Sequence, residues 1–122
     1  MDFKEKTDDE ILNIATPIMD NLMKVSSNID YEKHIRDYYN PVREDFTEEG
    51  FRKQCEEYQS KWGLFTDKVI LGIIRQKDAV NIYWKIHCSK STDEFLAILS
   101  LTIQNSKYVA QRAFIDLWQP KT

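Results

Sequence analysis

Three polar breaks in the second half of the chain constrain its fold more than any other feature. Gln76-Lys77-Asp78-Ala79, Lys90-Ser91-Thr92-Asp93 and Asn105-Ser106 interrupt segments rich in Val, Ile, Leu, Phe, Tyr and Trp. Segments of this length and composition, punctuated in this way, predict strands over residues 69–75, 80–89, 94–104 and 108–117. Joined by such short breaks, they form an antiparallel meander.

A hairpin turn sets the register of the strands it joins. The first turn puts Arg75 opposite Val80, Ile73 opposite Ile82 and Leu71 opposite Trp84. The second puts Trp84 opposite Leu99 and Cys88 opposite Phe95, and the third Leu99 opposite Arg112 and Ala97 opposite Phe114. With side chains alternating at period two, these registers sort the sheet into two faces. One collects Val69, Leu71, Ile73, Val80, Ile82, Trp84, Ile86, Cys88, Phe95, Ala97, Leu99, Leu101, Ile103, Ala110 and Phe114. It is apolar apart from Arg75, Tyr108, Arg112 and Asp116, and is the expected core face. The other carries Asn81, Tyr83, Lys85 and His87 on its second strand, between apolar positions such as Ile70, Ile98 and Ile115. It is expected to meet solvent or a partner.

The first half reads as helical. Thr7 followed by Glu10 is a capping-box pattern, and Ile11, Ile14, Ala15, Ile18, Met19, Leu22, Met23 and Val25 recur at helical spacing behind it. Pro17 interrupts this stripe without changing its phase, which predicts one kinked helix. A short helix capped by Asp30 or Asn28 carries Tyr31, Ile35 and Tyr38, and Asn40-Pro41 ends it. Residues 42–46 read equally as strand or loop. Thr47 caps a last helix with Glu48 and Glu49 in its first turn; Phe51, Cys55, Tyr58 and Trp62 share a face, and Gly63 is a C-terminal stop. Helices followed by a meander define an α+β class: N-terminal helices packed on one face of a curved four-stranded antiparallel sheet, with five or six strands as a variant. Residues 1–122 make one domain.

Several functions are disfavoured. Lys and Arg number 17 against 20 Asp and Glu, for a net charge of −3, which argues against nucleic-acid binding. No stretch approaches the roughly 20 apolar residues that cross a bilayer, and the charged first residues do not resemble a secretory signal. No membrane association and a cytoplasmic location are the expectation. Cys55 and Cys88 match neither metal-type nor redox-type spacing and read as buried thiols. Three isolated glycines cannot wrap a phosphate. No metal and no cofactor are expected.

The remaining chemistry lies in side chains that folding brings together. Arg112, central in its strand on the expected core face, must either pair with a helix carboxylate such as Asp20, Asp37 or Glu56, or meet a ligand at the floor of a pocket. His34, Trp84, Tyr108 and Asp116 complete the pocket candidates. Trp84 also reads as core filling, and His34 as a general base or a satisfied histidine. On the outer face, Ile70, Ile74, Leu96, Ile98, Val109, Ala113, Ile115 and Leu117 form a patch apolar enough to suggest a homodimer interface, with Ile70, Tyr83, His87, Ile98 and Ile115 as its candidate residues.

Ile14-Ala15-Thr16-Pro17-Ile18-Met19-Asp20, Asp30-Tyr31-Glu32-Lys33-His34-Ile35-Arg36-Asp37, Gln54-Cys55-Glu56-Glu57-Tyr58-Gln59 and Val80-Asn81-Ile82-Tyr83-Trp84-Lys85, in this order of elements, resemble small bacterial members of the nuclear transport factor 2-like superfamily, of cystatin-like α+β fold. The resemblance runs from Asp8 to Trp118. It implies a strongly curved sheet that the helices close into a cone with a ligand pocket at its mouth. Enzymes of the fold, ketosteroid isomerase and scytalone dehydratase, use Tyr, Asp or His in the cone, but neither residue pattern maps onto this chain. The first expectation is therefore a homodimeric small-ligand-binding domain. The alternative is an isomerase- or dehydratase-like enzyme acting on a small hydrophobic or anionic substrate, with His34 or Asp116 transferring the proton and Arg112 or Tyr108 orienting the substrate.

Overall fold

The structure, a computed structural model, describes residues 3–116, with the side chains of Phe114 and Asp116 outside the described set. After a 3-10 turn at Phe3–Glu5 come helices α1 (Asp8–Ser27), α2 (Tyr31–Ile35), α3 (Asn40–Arg43) and α4 (Glu48–Trp62). Strands β1 (Phe65–Arg75), β2 (Val80–Cys88), β3 (Phe95–Gln104) and β4 (Lys107–Asp116) follow, in that spatial order, in one antiparallel sheet. The class is α+β, and the sheet is curved but not closed. Residue 117, where the last strand was expected to end, lies outside the described residues.

Local chemistry explains the helix boundaries. The Thr7 hydroxyl accepts from the Glu10 amide at 3.1 Å while the Glu10 carboxylate accepts from the Thr7 amide at 2.9 Å. The Thr7 amide bond holds the Glu10 carboxyl below its usual range. One helix runs through Pro17, because its apolar stripe is buried as a unit: Ile11, Ala15, Met19, Leu22 and Val25 all point into the core. Asn40 to Arg43, within the stretch that read as a helix stop and then strand or loop, form a helical turn with Pro41 near its start. Gly63 ends α4 at φ 85°, ψ −154°, a conformation open to glycine and little else.

The core lies between α1 and the sheet. Val80, Ile82, Ile86, Leu99 and Leu101 are fully buried, Trp84 keeps 3% of its surface, and Ile11 and Ala15 press on them from the helix. Truncating such a side chain to alanine costs about 2–5 kcal/mol.

The turns set the registers well close to themselves and less well further away. Arg75 faces Val80 and Ile73 faces Ile82, as expected, but a bulge between Ile70 and Gly72 sets Ile70, not Leu71, opposite Trp84. The extra residue reverses the alternation. Lys68 and Ile70 therefore lie on the helix side, where Lys68 pairs with Asp20, and Val69 turns to the outer face. Between β2 and β3 the loop is longer than expected: Trp84 faces Ala97 and Ile86 faces Phe95, a shift of two residues that keeps every side chain on its expected face.

The third hairpin turns on Asn105 and Ser106, both at positive φ (53° and 64°), as a two-residue turn requires. Leu101 faces Ala110 in the expected register, but a bulge follows: Ser100 faces Arg112 and Leu99 faces Ala113. Arg112 accordingly leaves the core face for the outer one, and Ala113 and Ile115 take the core side.

Candidate functional site

Where α1 ends, the chain reverses through a Schellman turn. The Asp30 amide donates to the Val25 carbonyl at 2.8 Å and the Ile29 amide to the Ser26 carbonyl at 3.2 Å. Ile29, at φ 53°, occupies the left-handed position where glycine is usual, and it packs against the Phe51, Cys55 and Tyr58 cluster of α4. Asp30 then caps α2 by accepting from the Lys33 amide. This sharp re-entry turns His34 inward.

Past α2, the carbonyl of Asp37 accepts from the Ala110 amide and the amide of Tyr39 donates to the Ala110 carbonyl, each at 2.7 Å. Tyr38 thereby makes a parallel bridge to β4 and covers that edge of the sheet. A cavity of about 280 Å3 is left between helices and sheet, walled by Met19 and Leu22 of α1, His34 of α2, Tyr38, Phe46, Phe51 and Cys55, and Ala113 and Ile115 of β4. The small side chain of Ala113 helps to keep this space open. It stands there because of the β4 bulge.

His34 sits in a nest of rings. Its ring centroid lies 4.2 Å from Phe51 in a stacked arrangement, 5.2 Å from Tyr38 and 5.4 Å from Phe46. Its Nδ1 is buried and finds no hydrogen-bond partner among the described residues. Burial lowers the His34 pKa to about 4, so the ring is neutral near pH 7. Burial likewise pushes the Tyr38 hydroxyl and the Cys55 thiol up, keeping both protonated. Deeper in, the Ser26 and Tyr58 hydroxyls share a hydrogen bond of 2.7 Å, and the Gln59 side-chain amide donates to the Ser26 carbonyl at 3.2 Å. Among the described residues, no Asp, Glu, Lys or Arg lines the cavity.

Of the pocket candidates from sequence, His34 alone among the described side chains lines this cavity. Trp84 is core filling. Tyr108 is half-buried near the N-terminal turn, 6.0 Å from the Phe3 ring. Arg112 is exposed on the opposite face, so its guanidinium does not stand under the helices. Two of the three carboxylates named as its partners have other contacts: Asp20 pairs with Lys68, and Asp37 accepts from Asn21 at 2.9 Å. Asp116 faces Leu96 in register, and its side chain lies outside the described residues.

The interface candidates also divide. Ile98 is buried at 9% exposure, Ile115 faces the cavity, and Tyr83 and His87 are half-buried. His87 Nδ1 lies 2.8 Å from Asp67. Ile70, 41% exposed on the helix side, joins Leu71 at the bulge and Val69 and Ile74 on the outer face in an apolar row along the rim of β1, an edge strand. Sequence reasoning passed over Phe46, Phe51 and Ala113 as site residues. Phe51 carried a signal, its place on the inner face of α4, whereas Ala113 carried none without the bulge.

Among the described residues, no group of three His, Cys, Asp or Glu side chains is placed to hold a metal ion, and no helix is long and apolar enough to cross a membrane. No protein-family model matches the chain, and no curated protein matches it. Among solved structures, Bdellovibrio bacteriovorus Bd1075 is similar in fold, with 12% identity and a TM-score of 0.51 over 88% of this chain. The chain spans 40% of that protein's length.

Proposed function

We propose that this chain is a small-ligand-binding domain of nuclear transport factor 2-like type, and that its ligand is small, neutral and largely apolar, with one polar group to meet His34. The observation that carries this reading is an uncharged, ring-lined cavity bordered by His34, whose buried Nδ1 has no hydrogen-bond partner among the described residues. A buried polar atom without a partner costs about 1–3 kcal/mol, and a ligand that supplies the partner recovers it. An anionic ligand is disfavoured, because no cation among the described residues stands near to offset its desolvation.

The isomerase- or dehydratase-like alternative is weaker for a physical reason. A histidine with a pKa of about 4 is a feeble base at neutral pH, where a catalytic base works best with a pKa near the working pH. Binding asks only for a hydrogen bond. The proposed partner in solution is a second copy of the chain, and the support for it is the exposed apolar row on β1.

Thermal-shift measurements with indole, phenol and benzoate test the reading. A ligand at about a hundred times its Kd adds about 2.7 kcal/mol to stability, which raises Tm by several degrees. Indole or phenol is expected to stabilise and benzoate to do nothing. An equal or larger shift with benzoate, or no shift with any of the three, overturns it.

A further inference from the structure

We propose a second binding site on the outer face of the sheet, a groove suited to a hydroxyl-rich carboxylate of the sugar-acid class. It goes beyond the cavity reading and rests on different residues. Bulges recur beside functional sites because the extra residue re-aims its neighbours, and the one at Gln111 does so here. It sets Arg112 opposite Ser100, in line with Asn81 on the next strand, so that one row crosses β2, β3 and β4 on the outer face.

Over this row lies an open groove of about 560 Å3, bounded by Tyr39 on one side and Gln76 on the other. The Gln111 side-chain amide donates to the Ser100 hydroxyl at 2.9 Å. Ser100 is almost wholly buried, so this bond fixes the direction of the Gln111 amide. The side-chain amides of Gln76 and Asn81 make no hydrogen bond among the described residues. Each offers two donors and an acceptor.

A hydroxyl group both donates and accepts, so a run of hydroxyls matches a row of amides as no apolar ligand can. Arg112 adds a planar fork of five donors, able to take a carboxylate bidentately alongside another partner. No Asp or Glu lines the groove among the described residues, so no carboxylate among them repels an anion. The half-buried ring of Tyr39 supplies an apolar surface for the C–H face of a sugar. One guanidinium among the described lining residues also separates this groove from a polyphosphate site, which gathers several cations.

Amide-resolved NMR titration of the whole chain with D-glucuronate, D-glucose and acetate tests the site. Glucuronate is expected to give saturable shifts at Asn81, Ser100 and Gln111 and at the Gln76 side-chain amide. Arg112→Gln is expected to weaken glucuronate binding about tenfold or more, as loss of a charge-assisted pair does, and to leave glucose binding unchanged. Asn81→Ala is expected to weaken both. Arg112 is exposed and the Asn81 amide is unpaired among the described residues, so both variants keep the fold, which the unperturbed remainder of each spectrum verifies. The proposal is overturned if glucuronate gives no saturable shift, if its shifts map to the His34 cavity, or if Arg112→Gln and Asn81→Ala leave its affinity unchanged.

Discussion

His34 and Phe51 lie face to face, their ring centroids 4.2 Å apart and their planes 24° from parallel. One ring comes from α2 and the other from the first turn of α4, so the stack joins the two helices beside the Tyr31–Phe51 ring contact at 6.0 Å. An imidazole pressed against an apolar ring is poorly placed to carry charge, and burial accordingly lowers the His34 pKa from 6.5 to about 4.

That displacement makes stability depend on pH. Between about 6.5 and about 4 the unfolded chain binds a proton that the folded chain refuses. The contribution is therefore intact above the upper value and is lost as pH falls towards the lower one. The loss is about 2 kcal/mol, less than the whole shift implies because the ring keeps some contact with water. Urea unfolding across this range measures it, and His34→Gln is expected to flatten the profile. A wild-type profile no steeper than that of His34→Gln refutes the prediction.

Filling the cavity separates ligand binding from nonspecific stabilisation. Ala113→Leu projects additional carbons into a space of about 280 Å3. Folding stability is expected to change by less than about 1.5 kcal/mol, since there is room for the larger side chain, while the Tm increase given by indole or phenol disappears. Retention of that increase in Ala113→Leu locates binding elsewhere.

The junction of α4 and β1 tolerates no side chain. A Cβ on Gly63 would stand 2.2 Å from the Ser89 hydroxyl oxygen, and the residue's φ is 85°. Clash and strain together predict that Gly63→Ala costs about 2–3 kcal/mol in chemical denaturation. A loss below about 0.5 kcal/mol shows that the junction relaxes.

The apolar row on β1 predicts self-association. Leu71, at the bulge, is 59% exposed, so Leu71→Lys removes no buried contact within the chain and leaves Tm nearly unchanged. In sedimentation velocity the parent chain is expected to run as a dimer at micromolar concentration and Leu71→Lys as a monomer. A monomeric parent chain contradicts this.

How much was legible follows from where each signal resides. The capping box at Thr7, the stop at Gly63 and the two-residue turn at Asn105-Ser106 depend on local chemistry, and residues next to them stand as expected. The faces of β2 and β3 were legible too, because a register error of two preserves parity. Arg112 was misassigned because a bulge needs no residue type of its own: Gln111 resembles any polar strand residue, and a buried ladder on one side forces the extra residue out on the other. The cavity was legible in outline, from helices covering one face. Its lining was not, since Phe46 falls in a stretch with no periodicity and Ala113 changes faces with the bulge.

The bulge also means that both faces of β4 are governed by a parity, like a frame of reading. Were the ladder to close in a single register with Gln111 drawn in opposite Ser100, Arg112 would stand opposite Leu99 beneath the helices, and Ala113 and Ile115 would turn to the outer face; removal of Gln111 would instead close the ladder with Arg112 still opposite Ser100. Closure with Gln111 kept would lose the cavity and the outer groove in one step, with every side chain retained. Among related chains, inheritance of these pockets is therefore to be traced through the register of this strand as well as through the identity of its residues.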